Sequence, residues 1–181
     1  MLTELQTRKL TKLFSMYDEC CNGYLCKKDF EKIVKKLAGI RNWGLRSPRY
    51  LALMNQLDRD WKELNKIADT DHDQQVSINE WLHYYDVVLS DPQKYEQQVK
   101  MVMEMTFDVF NLGEEDGLNQ QNWGLLLSAY HVSPVYVPLI FPTLDTAKSG
   151  IIKRDQMLQL IRDFFYSDEP DIPANSMFGP Y

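Results

Sequence analysis

The chain lacks most of what would mark a secreted, membrane-embedded or nucleic-acid-binding protein. Only three cysteines occur, Cys20, Cys21 and Cys26, crowded into one stretch. An odd count with two adjacent members does not suggest a disulfide framework and fits reduced thiols. No apolar run approaches the roughly 18 residues of a membrane span. The N-terminus, Met-Leu-Thr-Glu-Leu-Gln, lacks a charged-then-apolar signal pattern, and no Asn-x-Ser/Thr acceptor is present. A cytoplasmic protein is the expectation. Basic residues are in deficit, 20 against 26 acidic, for a net charge of −6. That balance disfavours nucleic acid and anionic membrane surfaces and suits a soluble cation binder. With 181 residues and 44% hydrophobic content, the chain can bury a core in one compact body or two intimately packed lobes.

What is present begins with residues Asp69 to Glu80, Asp-Thr-Asp-His-Asp-Gln-Gln-Val-Ser-Ile-Asn-Glu. Side-chain oxygens fall at the first, third, fifth, ninth and twelfth places, the spacing of an EF-hand calcium loop. Calcium takes about 6–8 oxygens. Asp69, Asp71 and Asp73 can supply three, Gln75 its carbonyl, Ser77 a hydroxyl or a bound water, and Glu80 a bidentate pair. Magnesium is the competing ion. One rule is broken, because the sixth place usually holds Gly at positive φ and here holds Gln74. A left-handed non-Gly residue costs roughly 1–2 kcal/mol, an expected loss of about five- to thirty-fold in affinity.

An EF-hand buries its apolar helix faces by pairing, so further hands are expected. Asp18 to Asp29 keeps Asp18 first, Asn22 fifth, Gly23 sixth, the Tyr24 carbonyl seventh, Leu25 at the apolar eighth place and Asp29 last, but puts Cys20 third. Asp18, Asn22, Tyr24 and Asp29 are therefore candidate ligands of a weaker site. Cys20 and Cys26 beside Asp18 could alternatively suit a soft metal. Asn111 to Asn122 keeps Leu118 but offers Gly113 third and Asn122 last. Asp145 to Gln156 keeps Gly150 and Ile152 but places Ala147 third, Lys153 ninth and Gln156 last. The last two read as hands that have lost their metal.

Helical periodicity flanks every loop. Leu10, Leu13, Phe14 and Tyr17 precede the first, and Phe30, Ile33, Val34 and Leu37 follow it. Trp61, Leu64 and Ala68 enter the second, and Trp81, Tyr84, Tyr85 and Val88 leave it. Val99, Val102, Met103, Phe107 and Phe110 precede the third, and Trp123, Leu126, Leu127 and Tyr130 follow. Met157, Leu160, Ile161 and Phe164 complete the fourth. Paired loops should join through short strands, with Leu25 opposite Val76 and Leu118 opposite Ile152. Gly39 to Pro48 reads as a turn-rich link. Ser133 and Pro134 read as the cap and first turn of a helix that Pro138, at roughly 3 kcal/mol in a helix interior, should kink or shorten. The expected fold is all-α, with four EF-hands in two pairs. Residues 1–90 form the first pair, 91–167 the second, and 168–181 a tail packed on the lobes.

Four hands at this spacing, with Arg41-Asn-Trp43, Ile67-Ala-Asp-Thr-Asp71, Ile78-Asn-Glu-Trp81, Phe165-Tyr-Ser-Asp-Glu-Pro170 and Phe178-Gly-Pro180, resemble sarcoplasmic calcium-binding proteins and calexcitins over essentially the whole chain. Within that group the chain looks most like the insect members named juvenile hormone diol kinases. The resemblance implies two EF-hand pairs packed face to face around one apolar interior, with the tail tucked in. It also implies an alternative function, phosphorylating or carrying a hydrophobic terpenoid diol, with a nucleotide as partner. A pocket around Trp43, Trp61 or Phe178 would favour that alternative.

The residues give phosphate transfer little chemistry. Gly39-x-x-x-x-Gly44 has phosphate-loop spacing, but Leu45 stands where its Lys belongs, and the preceding segment reads as helix rather than strand. Asn65-Lys66-Ile-Ala-Asp69 is one residue too long for a guanine-reading motif. His72, His83 and His131 have no paired spacing with cysteines for a zinc cage. No catalytic residue can be named, and a monomer is the expectation.

Overall fold

The computed structural model describes residues 1–100, 107–110 and 117–181. Helix α1, Glu4–Tyr17, starts at a capping box in which Thr3 and Gln6 exchange hydrogen bonds. After the first loop come β1, Tyr24–Leu25, and α2, Lys27–Ile40. Ser47 caps α3, Pro48–Ala68, with Pro48 in the first turn, where its missing N–H costs nothing. Strand β2, Val76–Ser77, leads into α4, Ile78–Leu89, and α5, Pro92–Tyr95, continues as a wider turn through Glu96–Lys100. The second half contains a helical stretch at 107–110, then β3, Gly117–Asn119, α6, Gln120–Ala129, α7, Val137–Leu144, β4, Ile151–Lys153, and α8, Arg154–Tyr166.

The fold is all-α, with hands in two pairs joined by two small antiparallel links. Leu25 lies opposite Val76 and Leu118 opposite Ile152, the expected registers. All four side chains are 0% exposed, so each link lies beneath its loops as part of the core. Gly117 is required at its place: a Cβ there would stand 2.8 Å from the Ile152 carbonyl oxygen.

The apolar faces expected around the loops are buried on those helices, including Trp61, Trp81, Trp123, Met157, Ile161 and Phe164. Val102, Met103 and residues 111–116, including Gly113, lie outside the described residues, as does the side chain of Val99. The first pair closes where Phe14 meets Trp81 edge-on at 5.9 Å and the Trp81 Nε1–H donates to the Leu10 carbonyl at 3.0 Å. The halves join through α2 on α6 and α1 on α8. At that junction Glu19 accepts from Lys36 at 3.1 Å and from His131 at 3.0 Å. Burial would raise the Glu19 carboxyl, but those two donors outweigh it and hold it below its usual range.

One helix departs from expectation. Pro134–Tyr136 forms a single 3₁₀ turn capped by Ser133, and the α-helix begins only at Val137. Pro138 therefore sits in a first turn, where its missing N–H is harmless, and Pro142 is the interior proline instead. The helix is short, eight residues, because the 3₁₀ turn absorbs the first proline before α geometry starts.

The tail turns back into the molecule. Met177 and Phe178 are buried, with Phe178 stacked on Trp123 at 6.4 Å and edge-on to Phe164 at 5.0 Å. Lys9 on α1 is 1% exposed, and its Nζ donates to the Ser167 carbonyl at 2.8 Å and to Asn175 Oδ1 at 3.1 Å. Burial lowers its pKa, partly opposed by Asp168 and Asp163.

Four desolvated phenols set an alkaline limit. Burial pushes Tyr17, Tyr84, Tyr85 and Tyr95 above their usual value of about 10. The folded protein keeps those protons at pH values where the unfolded chain releases them. Stability is therefore full below about pH 10 and declines as pH rises beyond it. Urea unfolding midpoints should fall between pH 8 and pH 11, and equal midpoints would refute this.

Candidate metal centre

Loop residues Asp69 to Glu80 connect α3 to α4. The first carboxylate, Asp69, is 6% exposed and caps the end of α3. Its Oδ1 accepts from the Asp73 amide at 3.1 Å, and its Oδ2 from the Gln74 amide at 3.0 Å and from Asn65 Nδ2 at 2.9 Å. Asn65, one helical turn upstream, thus orients the first candidate ligand. Asp71 Oδ1 accepts from the Asp73 amide at 3.3 Å, and Asp73 Oδ1 from the Gln75 amide at 2.7 Å.

Oxygens of Asp69, Asp71 and Asp73 all lie within 4.8 Å of one another. Oxygens bound to one calcium ion at about 2.4 Å cannot be more than about 5 Å apart, so this trio fits one ion. Glu80 ends the loop. Its Oε1 accepts from the Thr70 amide at 2.9 Å and hydroxyl at 3.0 Å, and its Oε2 from the Ser77 amide at 2.9 Å and hydroxyl at 2.8 Å. Burial alone would raise the Glu80 carboxyl, but these four donors bring it down to about 2. It is an anion throughout the neutral range. Ser77 and Glu80 also form the capping box of α4, so one pair of side chains starts the helix and fixes the last ligand.

Sequence reading placed Asp69, Asp71, Asp73, Gln75, Ser77 and Glu80 in one loop; of these the structure gathers the carboxylates of Asp69, Asp71 and Asp73, while Glu80 is bound to Thr70 and Ser77. It did not identify Thr70 as the second clamp on Glu80. The only signal was a hydroxyl at the second place, which no ligand rule requires.

Gln74 adopts φ +63°, the left-handed conformation that its place demands. Gly23 and Gly150 occupy the same place in their loops at +82° and +79°. The fourth place is left-handed as well, at Cys21, His72 and Lys148. In all three loops the first Asp accepts the amides of the fifth and sixth places, at 3.1 and 2.8 Å for Asp18 and at 3.0 and 2.7 Å for Asp145. The loops share one frame whatever their ligands. Because the Gln74 strain is held by the loop's own hydrogen bonds, it belongs to folding stability rather than to ion affinity. Gln74→Gly should raise unfolding free energy by about 1 kcal/mol and Tm by roughly 2–4 °C. A Tm equal to or below the parent's would refute it.

The other loops diverge at their ends. In the first, Asp29 is 1% exposed; its Oδ2 accepts from the Cys26 amide at 2.9 Å, and its Oδ1 is buried with no hydrogen-bond partner. Asp is one methylene shorter than Glu80, so it makes the ninth-place bond but not the second-place one. The unsatisfied Asp29 Oδ1 is an acceptor that suits a cation. At the third place, however, Cys20 accepts from Lys32 Nζ at 3.2 Å, which sets a positive charge beside a ligand position. Cys20, Cys21 and Cys26 are free thiols, and among the described residues they join no cluster with the geometry of a metal cage. Asn22 turns its Oδ1 back to accept from the Tyr24 amide at 3.1 Å.

In the fourth loop Gln156 Nε2 donates to the Leu144 carbonyl at 2.8 Å and to Thr146 Oγ1 at 3.4 Å. It closes the loop with an amide where Glu80 does so with an anion. In the third, Asn119 Oδ1 accepts from the Asn122 backbone amide at 2.9 Å, which turns the Asn119 side chain to capping α6.

The segment from Gly39 to Gly44 forms no phosphate cradle. Gly39 lies within α2, a helix precedes the turn, and neither glycine is left-handed. Arg49 lies over Trp43 at 5.6 Å, Trp61 packs on Phe30, and Phe178 itself fills the second half. None of the described helices is long and apolar enough to cross a membrane.

Residues 7–86 match the model of an EF-hand domain pair. A comparison with curated proteins finds no match. Among solved structures, the sarcoplasmic calcium-binding protein from amphioxus is similar with TM-score 0.74 and 17% identity, over 100% of both chains. A calcium-binding protein of Streptomyces coelicolor is similar with TM-score 0.69 and 19% identity, over 97% of this chain and 99% of that one. The coelenterazine-binding protein of Renilla muelleri is similar with TM-score 0.66 and 20% identity, over 99% and 100%. At these identities the likeness is one of fold.

Proposed function

We propose that this chain binds one calcium ion in the loop Asp69–Glu80, with Asp69, Asp71, Asp73, Glu80, the Gln75 carbonyl and Ser77 as its ligands. The observation that carries this reading is the convergence of three Asp oxygens within 4.8 Å, in a loop whose last place holds a Glu80 carboxylate fixed by Thr70 and Ser77. The fold similarity to calcium-binding proteins supports it. Magnesium competes, but its near-octahedral demand at about 2.0–2.1 Å and its retained waters suit a six-oxygen protein loop less well. The first loop, through Asp18, Asn22, Tyr24 and Asp29, is a second and weaker site, held back by Cys20 and the Lys32 ammonium beside it. Phosphate transfer has no support in the geometry and is not proposed.

Calorimetric titration of calcium into chelator-stripped protein at physiological magnesium tests this. The expected result is one event with Kd between about 10⁻⁸ and 10⁻⁵ M, and no heat on adding ATP or GTP. Absence of a calcium event would overturn the reading. Gln156→Glu should add no second strong event, because Ala147 still offers no oxygen at the third place and Lys153 stands at the ninth. A new tight site in that variant would show that the twelfth ligand alone decides binding.

A further inference from the structure

Outside the loops, described residues of the first half line a cavity of about 70 Å³, with walls from α1, α2 and α3 and one side closed by the second half. Phe30, Val34 and Leu57 make its apolar surface, and Tyr17, Tyr130 and Asp60 bring polar atoms to it. Tyr17 and Tyr130 meet edge-on at 5.5 Å, so their rings form the wall where the halves join. Tyr17, Phe30, Asp60 and Tyr130 are half-buried, which leaves the cavity a way in from solvent.

A carboxylate in an apolar wall is costly unless something pairs with it. Asp60 Oδ1 accepts from Gln56 Nε2 at 2.8 Å, and Gln56 in turn accepts from Arg59. Even so, burial keeps the Asp60 carboxyl above its usual range, against the pull of Gln56 and Arg59. A carboxylate paired mainly with a neutral amide retains acceptor capacity toward the cavity. An apolar pocket with a few convergent polar groups and one perturbed carboxyl has the make-up of a small-molecule site.

We propose that this cavity binds a small apolar molecule with a hydrogen-bond-donating head, a primary ammonium above all, whose head pairs with Asp60 and whose tail lies against Phe30, Val34 and Leu57. The volume sets the size. At about 10–15 Å³ per water-sized probe, 70 Å³ has room for roughly five to seven heavy atoms. The Asp60 charge sets the selectivity, because an anionic head would meet a like charge in a poorly screened wall. This assignment is independent of the calcium reading, since none of the lining residues is a proposed ligand.

n-Hexylammonium, n-hexanol and n-hexanoate are all six-carbon chains that differ in the head, so titrating each into the protein at pH 7, followed by tyrosine fluorescence and calorimetry, tests the proposal. Hexylammonium should bind best, hexanol next, and hexanoate at least tenfold more weakly than hexylammonium. Asp60→Asn keeps the shape and the Gln56 bond, and should bring hexylammonium and hexanoate within about twofold of each other. Val34→Phe fills the cavity and should abolish binding of all three, with calcium binding unchanged. The proposal is overturned if no probe binds the parent, if hexanoate binds as well as hexylammonium, or if Asp60→Asn leaves the preference intact. Should Val34→Phe fail to fold, the Asp60→Asn comparison decides alone.

Discussion

Glu80→Gln should weaken calcium binding by at least about 100-fold, on the order of 3 kcal/mol, without disturbing the fold. The substitution removes the only ligand able to grip the ion with two anionic oxygens, and it leaves an amide nitrogen where one of them stood. The loop should still close, because the fourth loop already contains this experiment. Gln156 occupies the same place, bonds to the Leu144 carbonyl and Thr146, and leaves the frame of Asp145, Ser149 and Gly150 intact. The Oε1 of a Gln at position 80 can still accept from the Ser77 amide. Calorimetry would therefore report lost affinity while far-ultraviolet circular dichroism and Tm in chelator stay near the parent's. Undiminished calcium binding by this variant would remove the second loop from its assigned role.

The second large effect lies far from any loop. Phe178→Ala should cost about 3–5 kcal/mol of stability, the usual penalty for emptying an aromatic site in a packed core. In a chain of this length that lowers Tm by roughly 6–20 °C. Phe178 is 7% exposed between Trp123 and Phe164, so its loss opens space in the second half rather than at the surface. An apolar dye that fluoresces in such space should brighten with the variant. Ending the chain after Ser167 should do so more strongly, since it also removes Met177 and takes Asn175 from the buried Lys9 ammonium. Dye fluorescence and Tm equal to the parent's in both variants would show that the tail does not fill the interior.

Much of this molecule is legible without coordinates because its signals are local. The twelve places of the second loop, the Ser77-x-x-Glu80 capping box and the periodic apolar faces each act within a few turns of chain. The strand registers followed from the same counting, since the eighth place is apolar in every loop and only one pairing buries both partners. Even the conflict at Gln74 was visible as a residue out of place, although its cost falls on folding rather than on the ion. Local signals failed where two effects compete over a short span. Pro134, Pro138 and Pro142 could each end or begin a helix, and the 3₁₀ turn that chooses among them is set by packing around Val137, Ile140 and Phe141.

What the sequence determined by itself was therefore the hand: the spacing of its candidate ligands, the turn chemistry, the capping and the pairing of loops, all governed by neighbours along the chain. Tertiary structure alone decided the rest. It placed Thr70 against Glu80 and left Asp29 Oδ1 unsatisfied. It seated Phe178 beside Trp123, and it opened the cavity at Asp60 between Tyr17 and Tyr130. Those outcomes depend on side-chain reach to within about one methylene and on volumes filled from distant parts of the chain, quantities to which no spacing rule refers.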